Sequence, residues 1–274
     1  MHGLFQLLKV VVRPGEYHAQ KYGCKLANGA NRQRVRRVSI SSARAFDAHL
    51  AAVAFAYEDI PESAKTAKAK VAKFEEMTRG SGISTEARRM TASFAGMAEL
   101  FARIARRFDL SVVRQAEADK PTPDRLIIEA ALFDSGRPVL VVPYRLRGGI
   151  KFDRILVCWD GSRSAAGAVG DAIPFLKRAK VVEVVIVGDE VKSSEIPGAD
   201  IEHSLARHGI KVDVKRILAP SVFPESVILS HAVDSSADIM VMGGYGHSRW
   251  REFVLGGVTR NVLARMMTST LMSH

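Results

Sequence analysis

One order of apolar runs and helix-like segments occurs twice along the chain, and that repeat limits the fold more than any other feature. In the second half, "RILVCWDGS" (154–162) is an apolar run ending in Asp-Gly, the pattern of a strand entering a turn. "SRSAAGAVGDAIPFLKRA" follows, with Ala and Leu at helical intervals and a serine near its start. Then come "VVEVVIVGD" (181–189), the helix-like "GADIEHSLARHG", "IKVDVKRIL", the helix-like "PESVILSHAVDSSA", "DIMVMGG", a further helix and a closing "TLMSH". The first half repeats this order from residue 48: "AHLAAVAFA", a helix over Ser63–Met77, "ISTEARRMTA", "FAGMAELFARIARRF", "DLSVVRQ", "DRLIIEAALFDSG" and "RPVLVVPY". Leu50 to Leu140 spans 90 residues and Glu183 to Leu271 spans 88, so the halves are two copies of one design. Alternating strand and helix predicts an α/β fold, a parallel sheet with helices on both faces. The predicted division is 1–147 and 148–274, joined near "RLRGGIKFD" (145–153).

The amino terminus departs from the design. The run "LLKVVVRPG" (7–15) suits a strand, but about thirty residues rich in Gly, Asn and Arg separate it from the next one, and "GCKLANGANRQR" disfavours a helix. Residues 1–42 therefore read as basic and irregular, without the complete first strand and helix of the fold. The expected consequence is an open slot beside the strands of 48–56 and 109–115, with backbone groups unpaired.

Charge follows the same division. Residues 1–46 carry nine Lys/Arg and one acid, a balance of +8, while the remaining 228 carry 31 basic and 28 acidic groups, or +3. The basicity therefore belongs to one segment. That segment lacks the interleaved aromatics of a base-stacking surface, so a solvated tail is the simpler reading and nucleic acid is not the expected partner. No apolar run reaches the roughly 18–20 residues that cross a bilayer, and the start carries no secretory pattern. Cys24 and Cys158 form no CxxC or Cys/His cluster, so no metal site is expected and a reducing cytoplasm is the expected location.

Three glycines in the second half stand out: Gly243, two residues, Gly246, nine residues, Gly256. In an open parallel sheet, ligands sit beyond the carboxyl ends of the strands where the strand order reverses. A glycine just after a strand allows close backbone approach, and a second three residues on allows a tight loop. Gly256 stands at a helix start, where free N–H groups and the helix dipole favour an anion such as a phosphate. His247, Arg249, Arg251 and Arg260 add positive charge. The same glycines also fit a plain turn and a close helix–sheet contact. The first half has "RQAEADKPTPD" at this place, without a glycine.

"VMGGYGHSRWREFVLGGVTRNVLARM" with its closing strand resembles the carboxyl-terminal motif of the universal stress protein family, and "RILVCWDGSRSA" resembles that family's first strand and loop. The resemblance covers 153–274 nearly end to end and continues more faintly through about 43–147, the pattern of a tandem member. It implies an α/β fold of two doubly wound parallel five-stranded sheets, Rossmann-like and related to adenine-nucleotide-binding folds. In nucleotide-binding members the motif ends Gly, then Ser or Thr. Here Gly243, Gly246 and Gly256 take the glycine places, and Gly257 stands where Ser or Thr is expected, followed by Val258 and Thr259. The resemblance also places Asp160 near the nucleoside, Val187 against the adenine and Met242 before the first glycine. Asp160 equally fits a turn, and Val187 and Met242 equally fit ordinary core. A missing hydroxyl at 257 costs about 1.5–3 kcal/mol of phosphate binding, which Thr259 could partly restore.

No nucleophile elbow, Walker loop or HExxH occurs, and "DGSRSA" replaces the glycine fingerprint of a Rossmann dehydrogenase. His203, His208 and His231 lie on helix-like segments without partners at ligand spacing and read as solvated surface residues. The expectation is a stress-response protein that binds ATP or a related adenine nucleotide, with Mg as its companion ion, through residues 148–274, and acts by binding. A slow ATP hydrolase using the same loop and a scaffold without nucleotide are the alternatives. Pairing is expected either between two copies of the chain or between its two repeats.

Overall fold

The computed structural model describes residues 8–13, 21–24, 38–41, 49–58, 60–80, 84–117, 123–146, 149–188, 201–218, 224–244 and 257–274. The chain divides into two compact units, Met1–Ile150 and Lys151–His274. The first holds β1 (Leu8–Arg13), β2 (Lys21–Cys24), β3 (Val38–Ser41), β4 (His49–Tyr57), α1 (Pro61–Thr78), β5 (Ser84–Ala92), α2 (Phe94–Ala105), β6 (Leu110–Arg114), α3 (Asp124–Phe133) and β7 (Val139–Val142). The second holds β8 (Arg154–Cys158), α4 (Arg163–Leu176), β9 (Val181–Gly188), α5 (Ile201–Arg207), β10 (Asp213–Leu218), α6 (Pro224–Asp234), β11 (Ile239–Gly243), α7 (Gly257–Arg265) and β12 (Ser269–Ser273).

In the second unit the strand order is β10-β9-β8-β11-β12, and every neighbouring pair is parallel. Ile155, Leu156 and Val157 of β8 and Ile239, Met240 and Val241 of β11 are all buried. Such unbroken apolar runs belong to strands covered on both faces. The edge strand β10 keeps Asp213, Lys215 and Arg216 exposed. Ser162 begins α4 by accepting the Ala165 N–H at 3.1 Å, satisfying one of the donors that a helix start leaves over. From β8 the chain moves outward to β9 and β10, then crosses to β11 on the other side. The strand order reverses between β8 and β11.

The first unit has the order β7-β6-β1-β4-β5. Here β4 pairs with β5 and β6 with β7 in parallel, as alternation predicts. The central strand does not follow. β1 runs antiparallel to both β4 and β6, so this sheet is mixed, and the slot expected to stand open is filled. A parallel strand here would need a crossover of a dozen or more residues, usually a helix. Among the described residues between β1 and β4 lies only the antiparallel pair β2–β3. Reversal removes that need: Arg13 at the end of β1 sits opposite His49 at the start of β4, so the connection stays at one end of the sheet. The backbone groups of β4 and β6 find partners all the same.

Helix faces close the core. In α1, Ala67 packs with Ala54 and Ala56 of β4, with Val71 alongside. The amphipathic α2 buries Met97, Phe101, Ala102 and Ala105, and the Ser93 hydroxyl accepts the Gly96 N–H at 3.2 Å. Each fully buried large apolar side chain such as Phe101 contributes about 1.5–3 kcal/mol.

Candidate functional site

Strand register gathers Asp160, Val187, Met242 and Gly243 at one end of the second unit's sheet. Cys158 pairs with Val185 on one side and Met242 on the other, and Met242 pairs with Met272. Val187 lies two residues beyond Val185, Asp160 two beyond Cys158, and Gly243 one beyond Met242. All four sit at the carboxyl edge, where the strand order reverses. The Trp159 N–H donates to the Val185 carbonyl at 2.9 Å and carries the ladder one residue past β8. Asp160 Oδ1 then accepts the Ser162 N–H at 2.9 Å while its residue stays exposed. Gly161 has φ +74°, the left-handed conformation that excludes most side chains. Asp160 thus builds the turn that starts α4. Beneath it, burial and then the neighbouring Asp160 charge push the Cys158 thiol above its ordinary range, so it remains protonated and inert.

Gly243 is a glycine because a helix leans on it. A Cβ there would lie 2.5 Å from the Ala165 nitrogen, 2.6 Å from Ser164 Oγ and 2.7 Å from the Ser164 carbonyl carbon. The close backbone approach anticipated at this position is made by the first turn of α4. That helix is tied further along by Asp171 Oδ2, which accepts the Ser273 hydroxyl at 2.7 Å. After Gly243, the Gly244 N–H donates to the Ser273 carbonyl at 2.7 Å, and His274 Nδ1 lies 3.1 Å from the Gly244 carbonyl. Met242 is buried and Val187 half-buried.

The helix α7 comes just before β12 in the chain. Gly257 opens it, is exposed, and among the described residues has nothing within 4 Å of where a Cβ would stand. Val258 is half-buried and Thr259 buried, which sets the Thr259 side chain in the interior. Gly246, His247 and Gly256 lie outside the described residues, as do Arg249 and Arg251. Two residues not anticipated from the sequence join the site's frame. Glu225, in the first turn of α6, is only 4% exposed and accepts from Asn261 Nδ2 at 2.7 Å, across to α7. Their separation of 36 residues leaves no local pattern from which to find them.

His231 differs from expectation. It is buried, and its Nε2 lies 2.5 Å from Glu183 Oε1, a residue of β9 that is buried as well. A carboxylate on the covered face of a sheet needs such a partner, and the helix packed over it provides one. His203 and His208 are exposed. Among the described residues no group of three or more His, Cys, Asp or Glu is placed to hold a metal ion.

The first unit uses the same edge differently. The Gln115 N–H donates to the Val142 carbonyl at 2.8 Å, just as Gly244 donates to Ser273, so Arg114 occupies the register position of Gly243. Its guanidinium pairs with Glu117 at 2.6 Å and lies 5.9 Å from the Tyr144 ring centre, with Arg145 at 5.2 Å from the same ring.

Residues 151–274 match the model of the universal stress protein family. A universal stress protein of Synechocystis sp. is 27% identical over 139 residues, a match covering 47% of this chain and 44% of that relative. The matched region is thus less than half of the relative's length. The structure of a universal stress protein from Archaeoglobus fulgidus DSM 4304 is similar with TM-score 0.60 at 19% identity, over 78% of this chain and 80% of that one. A functionally unknown protein from Pseudomonas aeruginosa PAO1 is similar with TM-score 0.53 at 17% identity, over 81% of each chain. These structural likenesses establish the α/β fold. Among the described residues no helix is long and apolar enough to cross a membrane.

Proposed function

We propose that the second unit binds one adenine nucleotide, ATP or a close relative, and that the protein acts in a cytoplasmic stress response through that binding rather than through turnover. The observation carrying this reading is the juxtaposition at the carboxyl edge. The β8–β11 pairing brings the Asp160 turn beside Gly243 at the reversal of strand order, and α7, which precedes β12, opens at an exposed Gly257. In this reading Val187 and Met242 border the base, Asp160 takes the ribose hydroxyls, and the backbone N–H groups of Gly257, Val258 and Thr259 face the phosphates. Gly246, His247 and Gly256 complete the cradle, and Mg accompanies the triphosphate. Thr259 is buried, so the N–H groups of α7 rather than that hydroxyl carry the phosphate contact.

The first unit serves as a degenerate second repeat without a nucleotide. Its central strand runs the other way, so no βα turn leaves the sheet at the switch point, and Arg114 stands where Gly243 would. Titration calorimetry of the full chain with ATP tests both statements. One nucleotide per chain is expected, together with adenine nucleotide recovered by mass spectrometry from gently purified protein. No binding, or two equivalents, would refute the reading. Release of phosphate at a rate that Gly257→Ser alters would move it to the slow hydrolase.

A further inference from the structure

We infer that Glu225 is a positioning residue for the phosphate end of α7, acting through Asn261; this rests on the nucleotide reading above. α7 is short, and within its nine residues the buried side chains are Thr259 and Val262. Val262 and Thr259 set how the helix leans on its neighbours, and a directional bond adds resistance to sliding along its axis. The bond from Asn261 Nδ2 to Glu225 Oε1, at 2.7 Å, ties α7 to α6 in a fixed direction. It is directional, it is half-buried, and its acceptor is fixed in a helix that is itself held by the His231–Glu183 contact.

The location matters because Asn261 lies four residues beyond Gly257, or about 6 Å along a helix rising 1.5 Å per residue. An anion cradled by N–H groups needs them placed to about 0.5 Å, and a misplacement near 1 Å can cost up to about a hundredfold. The adenine and ribose contacts come from β8, β9 and β11, which the Glu225–Asn261 bond does not touch. Loss of the bond should therefore be felt by the phosphates and not by the nucleoside. The carboxylate is tolerated in its buried place by the amide it accepts from and by its own position in the first turn of α6.

The test is calorimetry on the full chain with ATP and, separately, with adenosine. Glu225→Ala is expected to weaken ATP about tenfold, a little over 1 kcal/mol, while adenosine changes by less than about twofold. Asn261→Ala, which removes the same bond from the partially exposed side, should reproduce that ATP-selective loss. Glu225→Gln, whose amide oxygen still accepts from Asn261, should hold ATP within about threefold of the parent. ATP affinity unchanged in folded Asn261→Ala overturns the inference, as does parallel loss of ATP and adenosine. So does a Glu225→Gln protein as impaired as Glu225→Ala, since charge rather than the bond would then be the cause. Should Glu225→Ala fail to fold, Asn261→Ala and Glu225→Gln decide. A parent protein that binds neither ligand removes the nucleotide reading and this inference together, whereas a parent that binds ATP with an unaffected Asn261→Ala removes this inference alone.

Discussion

Gly243→Ala tests the close contact between β11 and α4. The added carbon would stand 2.5 Å from the Ala165 nitrogen, and ordinary contact begins at 3.4 Å, so the first turn of α4 must withdraw by 0.9 Å. The obstacles include backbone, which cannot swing aside as a side-chain tip can. Overpacking of this kind costs about 1–3 kcal/mol, and backbone obstruction places the variant near the upper end. Reduced freedom of the unfolded chain returns about 0.4–1 kcal/mol, leaving a net loss near 2. Gly170 provides the control: it lies in the same helix with nothing within 4 Å of its Cβ position, so Gly170→Ala should stabilise by about 0.5–1 kcal/mol. Hydrogen exchange separates the units, with α1 of the first unit as internal reference. Amides of α4 and β11 should exchange roughly thirtyfold faster in Gly243→Ala and more slowly in Gly170→Ala. A folded Gly243→Ala protein whose α4 amides exchange as slowly as the parent's would refute the argument.

Gly257→Ser should raise ATP affinity several-fold, because it adds a hydroxyl at an exposed helix start; unchanged or weaker binding by calorimetry would count against the phosphate geometry. His231→Ala leaves a buried carboxyl without its partner and should cost about 1–3 kcal/mol, read as a lower urea midpoint; a neutral result would dissolve the structural role given to the pair. The Cys158 thiol is raised when folded, so above about pH 9 the unfolded thiol ionises first and stability falls with rising pH. Cys158→Ala should flatten that fall, and iodoacetamide should reach Cys158 only on unfolding; equal slopes or rapid labelling of native protein would contradict its burial.

Much of the α/β order was legible because buried parallel strands need unbroken apolar runs, and "ILV" and "IMV" in β8 and β11 have few other uses. Asp160, Val187, Met242 and Gly243 could be placed on one edge from strand boundaries alone. What stayed hidden was direction and distance. An apolar run such as "LKVVVR" carries no mark of which way it will run, since either ladder satisfies its backbone. Nor does Glu183 announce His231, or Glu225 announce Asn261, because each pair meets only after helices dock on the sheet. Gly243 was recognisable as a position that refuses a side chain. Which neighbour imposes that refusal, a ligand or a helix, is written only in three dimensions.

The reversed strand also bears on the order in which the first unit assembles. β4 and β5 are joined by α1, and β6 and β7 by α3, so each pair can form from a short stretch of chain. β1 must find both pairs, and its partner Val112 lies 102 residues from Val10. Contacts of such separation carry a larger closure cost and are made late. Until β1 arrives, two hydrophobic strands expose their edges at the heart of the unit, and it is during this interval, rather than in the finished molecule, that the chain is most open to misassembly with its own copies.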